Sequence, residues 1–268
     1  MDGVFAGLAP ARRRLLLAVL GVVVAALVTV GVVALVPRHA AVADQSRPGP
    51  VLLVPGYGGS TGSLQQLADR IGATGRDATV VSLPGDGTGD LRASAAVLGD
   101  AVRAAIRRTG ASSVDVVGYS AGGIVARLWV ADGGGAALAR RVVTLGSPHH
   151  GTELADLAVS VAADPCPEAC RQLAGDSDLL RRLNAGDETP AGPTWVSIWT
   201  TQDRTVTPPD SARLAGAVNL PVQSVCADAS VDHGGLPRSP LVQAMVLAEL
   251  GAGEPVALTP ADCRRLRS

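Results

Sequence analysis

The sequence contains no lysine; all 23 of its permanent cations are arginine, set against 24 Asp and Glu for a net charge of -1. The arginines are dispersed rather than gathered in one block, so neither net charge nor clustering argues for nucleic acid as a partner. Aromatic residues make up only 2%, which leaves Ala, Val and Leu to fill the interior. A hydrophobic fraction of 47% excludes a disordered or fibrous chain. There are no internal repeats. Histidine is scarce as well, with four in 268 residues, and that scarcity narrows the choice of a catalytic base. The length suits one substantial core.

What is present begins with an apolar run. Arg12, Arg13 and Arg14 precede an uncharged stretch from Leu15 to Val36, long enough as a helix to cross a hydrocarbon core of about 30 Å. Positive charge before the run places residues 1–14 in the cytoplasm and everything after it outside. The run is long for a secretory signal, which favours a retained transmembrane anchor over 15–36 and hence a membrane attachment. Ala41-Val42-Ala43 is nonetheless an A-x-A cleavage pattern, so a secreted form cut after Ala43 is the competing expectation. Residues 37–50 are then a polar, proline-containing linker, and 51–268 the exported domain.

The cysteines agree with export. Cys166, Cys170, Cys226 and Cys263 all follow the run, an even number in an oxidising compartment. Pairing Cys166 with Cys170 and Cys226 with Cys263 is the favoured reading of three. A zinc site is weaker, because no nearby His or second Cys pair completes four ligands.

Apolar runs then alternate with helical patterns. Val51–Val54, Thr79–Leu83, Val114–Val117, Val142–Leu145, Trp195–Trp199 and Val222–Val225 have the character of buried strands. Helical periodicity covers Leu64 to Ile71, 91–108, 122–131 and 240–250. Strands apolar throughout and separated by helices imply an α/β fold, a mostly parallel sheet covered on both faces. Residues 146–193 have few strand signals and form an insertion over the sheet.

Gly118-Tyr119-Ser120-Ala121-Gly122 follows one of these strands and precedes an apolar helix. That is the context in which a G-x-S-x-G turn presents a nucleophilic serine, with Gly118 and Gly122 demanded by close backbone packing. The bland alternative, a glycine-rich strand–helix turn, needs no downstream partners. Here they exist. An oxyanion hole requires two converging N–H groups. Ala121, just after the nucleophile, supplies one, and Tyr57 in the loop Pro55-Gly56-Tyr57-Gly58-Gly59 the other, with Gly58 as the fallback. His233 is the one histidine that allows the order Ser, acid, His. Asp203, at the end of the strand across the insertion, is the preferred acid over Asp232, Asp210 and Asp228, which read as solvated loop carboxylates.

With these residues in place, the chain resembles bacterial lipases and esterases of the α/β-hydrolase superfamily, notably small secreted triacylglycerol lipases of Bacillus and Streptomyces. The resemblance spans about 51–250. It rests on Val51-Leu52-Leu53-Val54-Pro55-Gly56-Tyr57, the serine elbow, Thr144-Leu145-Gly146-Ser147-Pro148-His149-His150-Gly151-Thr152, and the loops around Asp203 and His233. It departs from the family at Pro55, where a His-Gly pair is usual. The resemblance implies hydrolysis of small-molecule or lipid esters through an acyl-enzyme, with no cofactor. His149 and His150 could line a pocket or bind a metal, but bracing the loop beside the elbow is the favoured role and no metal is assigned. An acyltransferase or amidase would use the same triad, and a non-catalytic envelope binding protein is the alternative from another class.

Overall fold

The computed structural model describes residues 11, 18–25, 27, 43–161 and 166–268. The chain divides into two units, Met1–His39 and Ala40–Ser268. In the first, residues 18–25 are helical, and no helix among the described residues is long and apolar enough to cross a membrane. Most of the expected span 15–36, its preceding arginines, and Ala41 and Val42 of the cleavage pattern lie outside the described residues.

The second unit is built on six strands, β1 (Val51–Val54), β2 (Ala78–Val80), β3 (Val114–Tyr119), β4 (Ala139–Leu145), β5 (Thr194–Trp199) and β6 (Val218–Pro221). They pair in the order β2-β1-β3-β4-β5-β6, every neighbour parallel. Parallel pairing obliges the chain to cross over between strands, and the crossovers are helices that cover the sheet. These are α1 (Gly62–Gly72), α2 (Leu91–Thr109) and α3 (Ala121–Asp132), with α8 (Pro240–Glu249) after the last strand. Because strand side chains alternate between faces, β1 sends Leu52 and Val54 to one core with Leu98, Ile124 and Trp129 of α2 and α3. Its Val51 and Leu53 enter a second core with Leu64 and Ile71 of α1 and Val242 and Met245 of α8. Both faces are therefore dry, which is why these strands are continuous apolar runs rather than alternating ones.

Among the described residues between β4 and β5 lie three short helices, α4 (Glu153–Val161), α5 (Glu168–Gln172) and α6 (Asp178–Leu183). One expected strand is corrected. Val222–Val225 is a short helix, α7, and the sixth strand is the preceding Val218–Pro221. Pro221 ends that strand with ψ 128° and caps the turn that follows, and a proline has no N–H to extend a ladder. Valine-rich composition pointed to a strand where burial, not β geometry, is what the valines serve.

Two disulfides occur, Cys166–Cys170 and Cys226–Cys263. The second fastens α7 to the terminal helix α9 (Cys263–Arg267). At the N-terminal edge of the strands Asp115 is wholly buried and faces two arginines. Arg140 Nε lies 2.8 Å from one carboxylate oxygen, and Arg76 bonds the other. Arg140 also donates to the carbonyls of Gln45 at 3.0 Å and Gly251 at 2.9 Å, pinning the linker and the tail to the sheet.

Candidate active site

The site is assembled at the opposite edge, where the strands end at their carboxyl termini. β3 delivers Ser120 with φ 51° and ψ -125°, the one non-glycine at positive φ among the described residues. Its N–H donates to Leu145 O on β4 at 2.8 Å, and its own carbonyl accepts from Gly123 N at 3.0 Å. The turn is tight enough to explain its glycines. A Cβ on Gly118 would sit 2.6 Å from Gly122 O, and one on Gly122 would sit 2.2 Å from Val54 O. Both contacts are with backbone, which cannot rotate aside. The sharp turn leaves the Ser120 hydroxyl standing clear of the sheet at the head of α3, where the exposed N–H groups favour negative charge.

His233 begins a single 3-10 turn, His233–Gly235, whose preceding Asp232 accepts from Gly235 N at 2.7 Å. This places the imidazole with Nε2 3.1 Å from Ser120 Oγ and Nδ1 2.7 Å from Asp203 Oδ2. The other carboxylate oxygen of Asp203 accepts the N–H groups of Thr205 at 2.8 Å and Val206 at 2.9 Å. Both oxygens of the acid are thereby engaged, an arrangement that favours the Nδ1–H tautomer and turns Nε2 towards the serine. His233 and Asp203 are 8% and 5% exposed, an environment in which such contacts are little screened.

The structure thus brings together Ser120, His233 and Asp203. It gives the rival acids other work. Asp232 caps the base turn, Asp228 pairs with Arg267 at the surface, and Asp210 lies in a 3-10 turn, Pro209–Ala212. Ala121 opens α3, so its N–H has no partner within the helix. Tyr57 lies in the loop after β1 and lines one cleft with Ser120, and the neighbouring Gly56 packs so closely that a Cβ there would approach Ser120 Cβ to 2.9 Å. The N–H of Gly58 already faces Gly87 O at 3.4 Å, whereas that of Tyr57 makes no hydrogen bond among the described residues.

Two contributors carried no sequence signal. Tyr119 fills the variable position of the elbow, donates its hydroxyl to His233 O at 3.2 Å, and packs its ring 5.2 Å from the imidazole. Burial, followed by the Asp203 charge, pushes its phenol up to about 12, so it remains a neutral donor. Thr152, at the root of α4, donates to Thr205 O at 2.7 Å and accepts from Thr207 N at 3.2 Å. It ties the helical insertion to the loop that carries the acid. Both roles depend on contacts distant in sequence, invisible to spacing.

Beside Ser120 opens a cleft of about 260 Å³ lined by Tyr57, Leu154, Ala155, Ala158, Leu173 and Val206. Its walls are almost wholly apolar, contributed by α4, α5 and the acid loop. His149 is buried beneath, its Nε2 3.1 Å from Thr144 Oγ1, and burial followed by Arg127 lowers its pKa well below the usual imidazole range. His150 pairs with Glu188 at 2.9 Å and lies 3.2 Å from Ser211 O. Both histidines therefore brace the loop, and no group of three potential metal ligands occurs among the described residues.

The parallel sheet and its helical layers give the chain an α/β-hydrolase-like fold. Residues 100–225 match the lipase (class 2) family. Among solved structures the chain is similar to Aspergillus fumigatus lipase B, with 21% identity, a TM-score of 0.66, 85% of this chain covered and 58% of that one. It is also similar to the mature form of the Bacillus licheniformis lipase BlEst2, with 23% identity, a TM-score of 0.63, 78% of this chain covered and 94% of that one. The chain spans little more than half of the Aspergillus enzyme. A search of curated proteins returns no match. The likeness to these solved structures is one of fold.

Proposed function

We propose that the protein hydrolyses carboxylic esters outside the cytoplasm through a Ser120–His233–Asp203 triad. One observation carries the reading, the unbroken hydrogen-bonded chain from Ser120 Oγ through both imidazole nitrogens to Asp203. Ser120 attacks the ester carbonyl while His233 Nε2 takes its proton. Asp203 stabilises the imidazolium without itself accepting the proton. The N–H groups of Ala121 and Tyr57 receive the charge that develops on the carbonyl oxygen, an interaction whose loss typically costs about 100- to 1000-fold in turnover. His233 then protonates the departing alcohol, and water repeats the sequence on the acyl-enzyme. The apolar cleft beside Ser120 receives the acyl chain. Two disulfides support the compartment, since such bonds persist in oxidising surroundings.

The test is labelling with a fluorophosphonate probe alongside hydrolysis of p-nitrophenyl esters from acetate to palmitate, for the wild type and Ser120→Ala. Labelling at Ser120 and turnover, both absent in the variant, are the expected results. Labelling without ester turnover would redirect the reading to another acyl substrate or acceptor. A folded protein that shows neither would end the catalytic reading in favour of an envelope binding role.

A further inference from the structure

The two sides of the serine–histidine pair differ in chemistry. The apolar cleft touches Ser120 but not His233. On the far side, His233 itself forms part of the wall of a second cleft of about 510 Å³, shared with Gln202, Arg204, Ser230 and Asp232. An adjoining recess adds Arg238 to the same Gln202, Ser230 and Asp232. Thr205 belongs to both the apolar and the polar cleft, so the two meet at the acid loop.

The order of chemical events assigns a moiety to each side. The leaving oxygen takes its proton from His233, so the alcohol half of the ester must extend towards the side that the imidazole lines. That side is polar and carries free positive charge. The guanidinium groups of Arg204 and Arg238 make no ion pair or hydrogen bond among the described residues, unlike Arg76 or Arg140 in the buried cluster. The Arg238 guanidinium reaches back to the base turn, with Nη2 3.7 Å from where a Cβ on Gly234 would stand. Asp232 is the one anion in these walls, and Oδ1 of its carboxylate is already taken by Gly235 N. Two unpaired arginines against one engaged carboxylate leave a net positive surface where the alcohol departs.

From this we infer that the preferred substrates are amphipathic esters whose alcohol half is hydroxylated and negatively charged, a phosphorylated glycerol being the simplest example. The inference rests on the triad reading above and narrows its substrate class. The acyl chain enters the apolar cleft, and the anionic alcohol lies along Arg204 and Arg238, which bind it without taking part in proton transfer.

The experiment compares 1-decanoyl glycerol 3-phosphate with uncharged 1-decanoyl glycerol, both as monomers in solution, for the wild type and Arg204→Gln/Arg238→Gln. Fluorophosphonate labelling and p-nitrophenyl decanoate turnover are followed in parallel. The expected wild-type kcat/KM favours the phosphate ester. The ratio of the two esters falls roughly tenfold in the double variant, as two solvent-exposed ion pairs allow, and falls likewise in 0.5 M NaCl. A wild-type ratio at or below one, no turnover of the phosphate ester, or a ratio that the variant leaves unchanged would overturn the inference. Continued p-nitrophenyl decanoate turnover in those cases keeps the triad reading intact. Absence of both labelling and turnover overturns the two together.

Discussion

Ser120 is held at φ 51°, and that strain can be measured directly. A side-chain-bearing residue in this region is disfavoured by about 1–3 kcal/mol, whereas glycine enters it freely. Glycine in turn loses more chain entropy on folding, by about 0.5–1 kcal/mol relative to alanine. Ser120→Ala and Ser120→Gly both remove the hydroxyl and its contact with His233, so their difference isolates the backbone. On this arithmetic Ser120→Gly is more stable than Ser120→Ala by about 1 kcal/mol. In a protein of this size that is roughly 2–4 °C in Tm. Thermal unfolding followed by circular dichroism, with fluorophosphonate labelling to confirm that both variants are dead, gives the answer. If Ser120→Gly melts at or below Ser120→Ala, the elbow is not strained and the nucleophile's exposure has another origin. The expected outcome is a stability–function exchange, in which the conformation that presents the hydroxyl also costs folding free energy.

Other substitutions probe the rest of the molecule. Asp203→Asn keeps an oxygen for the Thr205 and Val206 N–H groups but turns an N–H donor towards His233 Nδ1. Its kcat should fall about 10⁴-fold, with KM little changed in steady-state assays. Glu249 is fully buried, with Oε1 unpartnered among the described residues and Oε2 accepting from Val256 N at 3.0 Å. Burial raises its pKa from an ordinary 4.5 to about 7, against the opposing pull of Val256 N–H and Arg141. A raised acid is stabilising while protonated and loses that advantage as pH climbs. The wild type should therefore weaken relative to Glu249→Gln between about pH 4.5 and 7, by up to about 3 kcal/mol, and run parallel above that in urea titrations. Asp115→Ala leaves Arg140 buried without its anion and should cost about 3–5 kcal/mol, read as a Tm drop near 10 °C.

The sheet was legible where burial on both faces wrote continuous apolar runs, as in Val51–Val54 and Val114–Val117. It was illegible where polar residues occupy strand positions. β4 begins at Ala139 rather than Val142 because Arg140 and Arg141, which look like a solvated turn, are buried against Asp115 and the tail carbonyls. β6 was displaced by one element because its own Val218-Asn219-Leu220-Pro221 is weaker in β-branched residues than the helical stretch after it. In the site, the elbow, His233 and Asp203 stood out because their chemistry requires particular residue types in a particular order. Tyr119 and Thr152 did not, since a hydroxyl meeting a backbone carbonyl from a distant loop leaves no periodicity to detect.

The Cys226–Cys263 crosslink encloses His233, while Ser120 and Asp203 lie outside its loop. Of the three proposed reacting groups only the base therefore lies on the segment that bond closes, a segment held besides by Val242 and Met245 in the second core and by the Tyr119 hydroxyl on His233 O. Breaking that bond would release a constraint on the segment that carries His233 and none on β3 or the Asp203 loop.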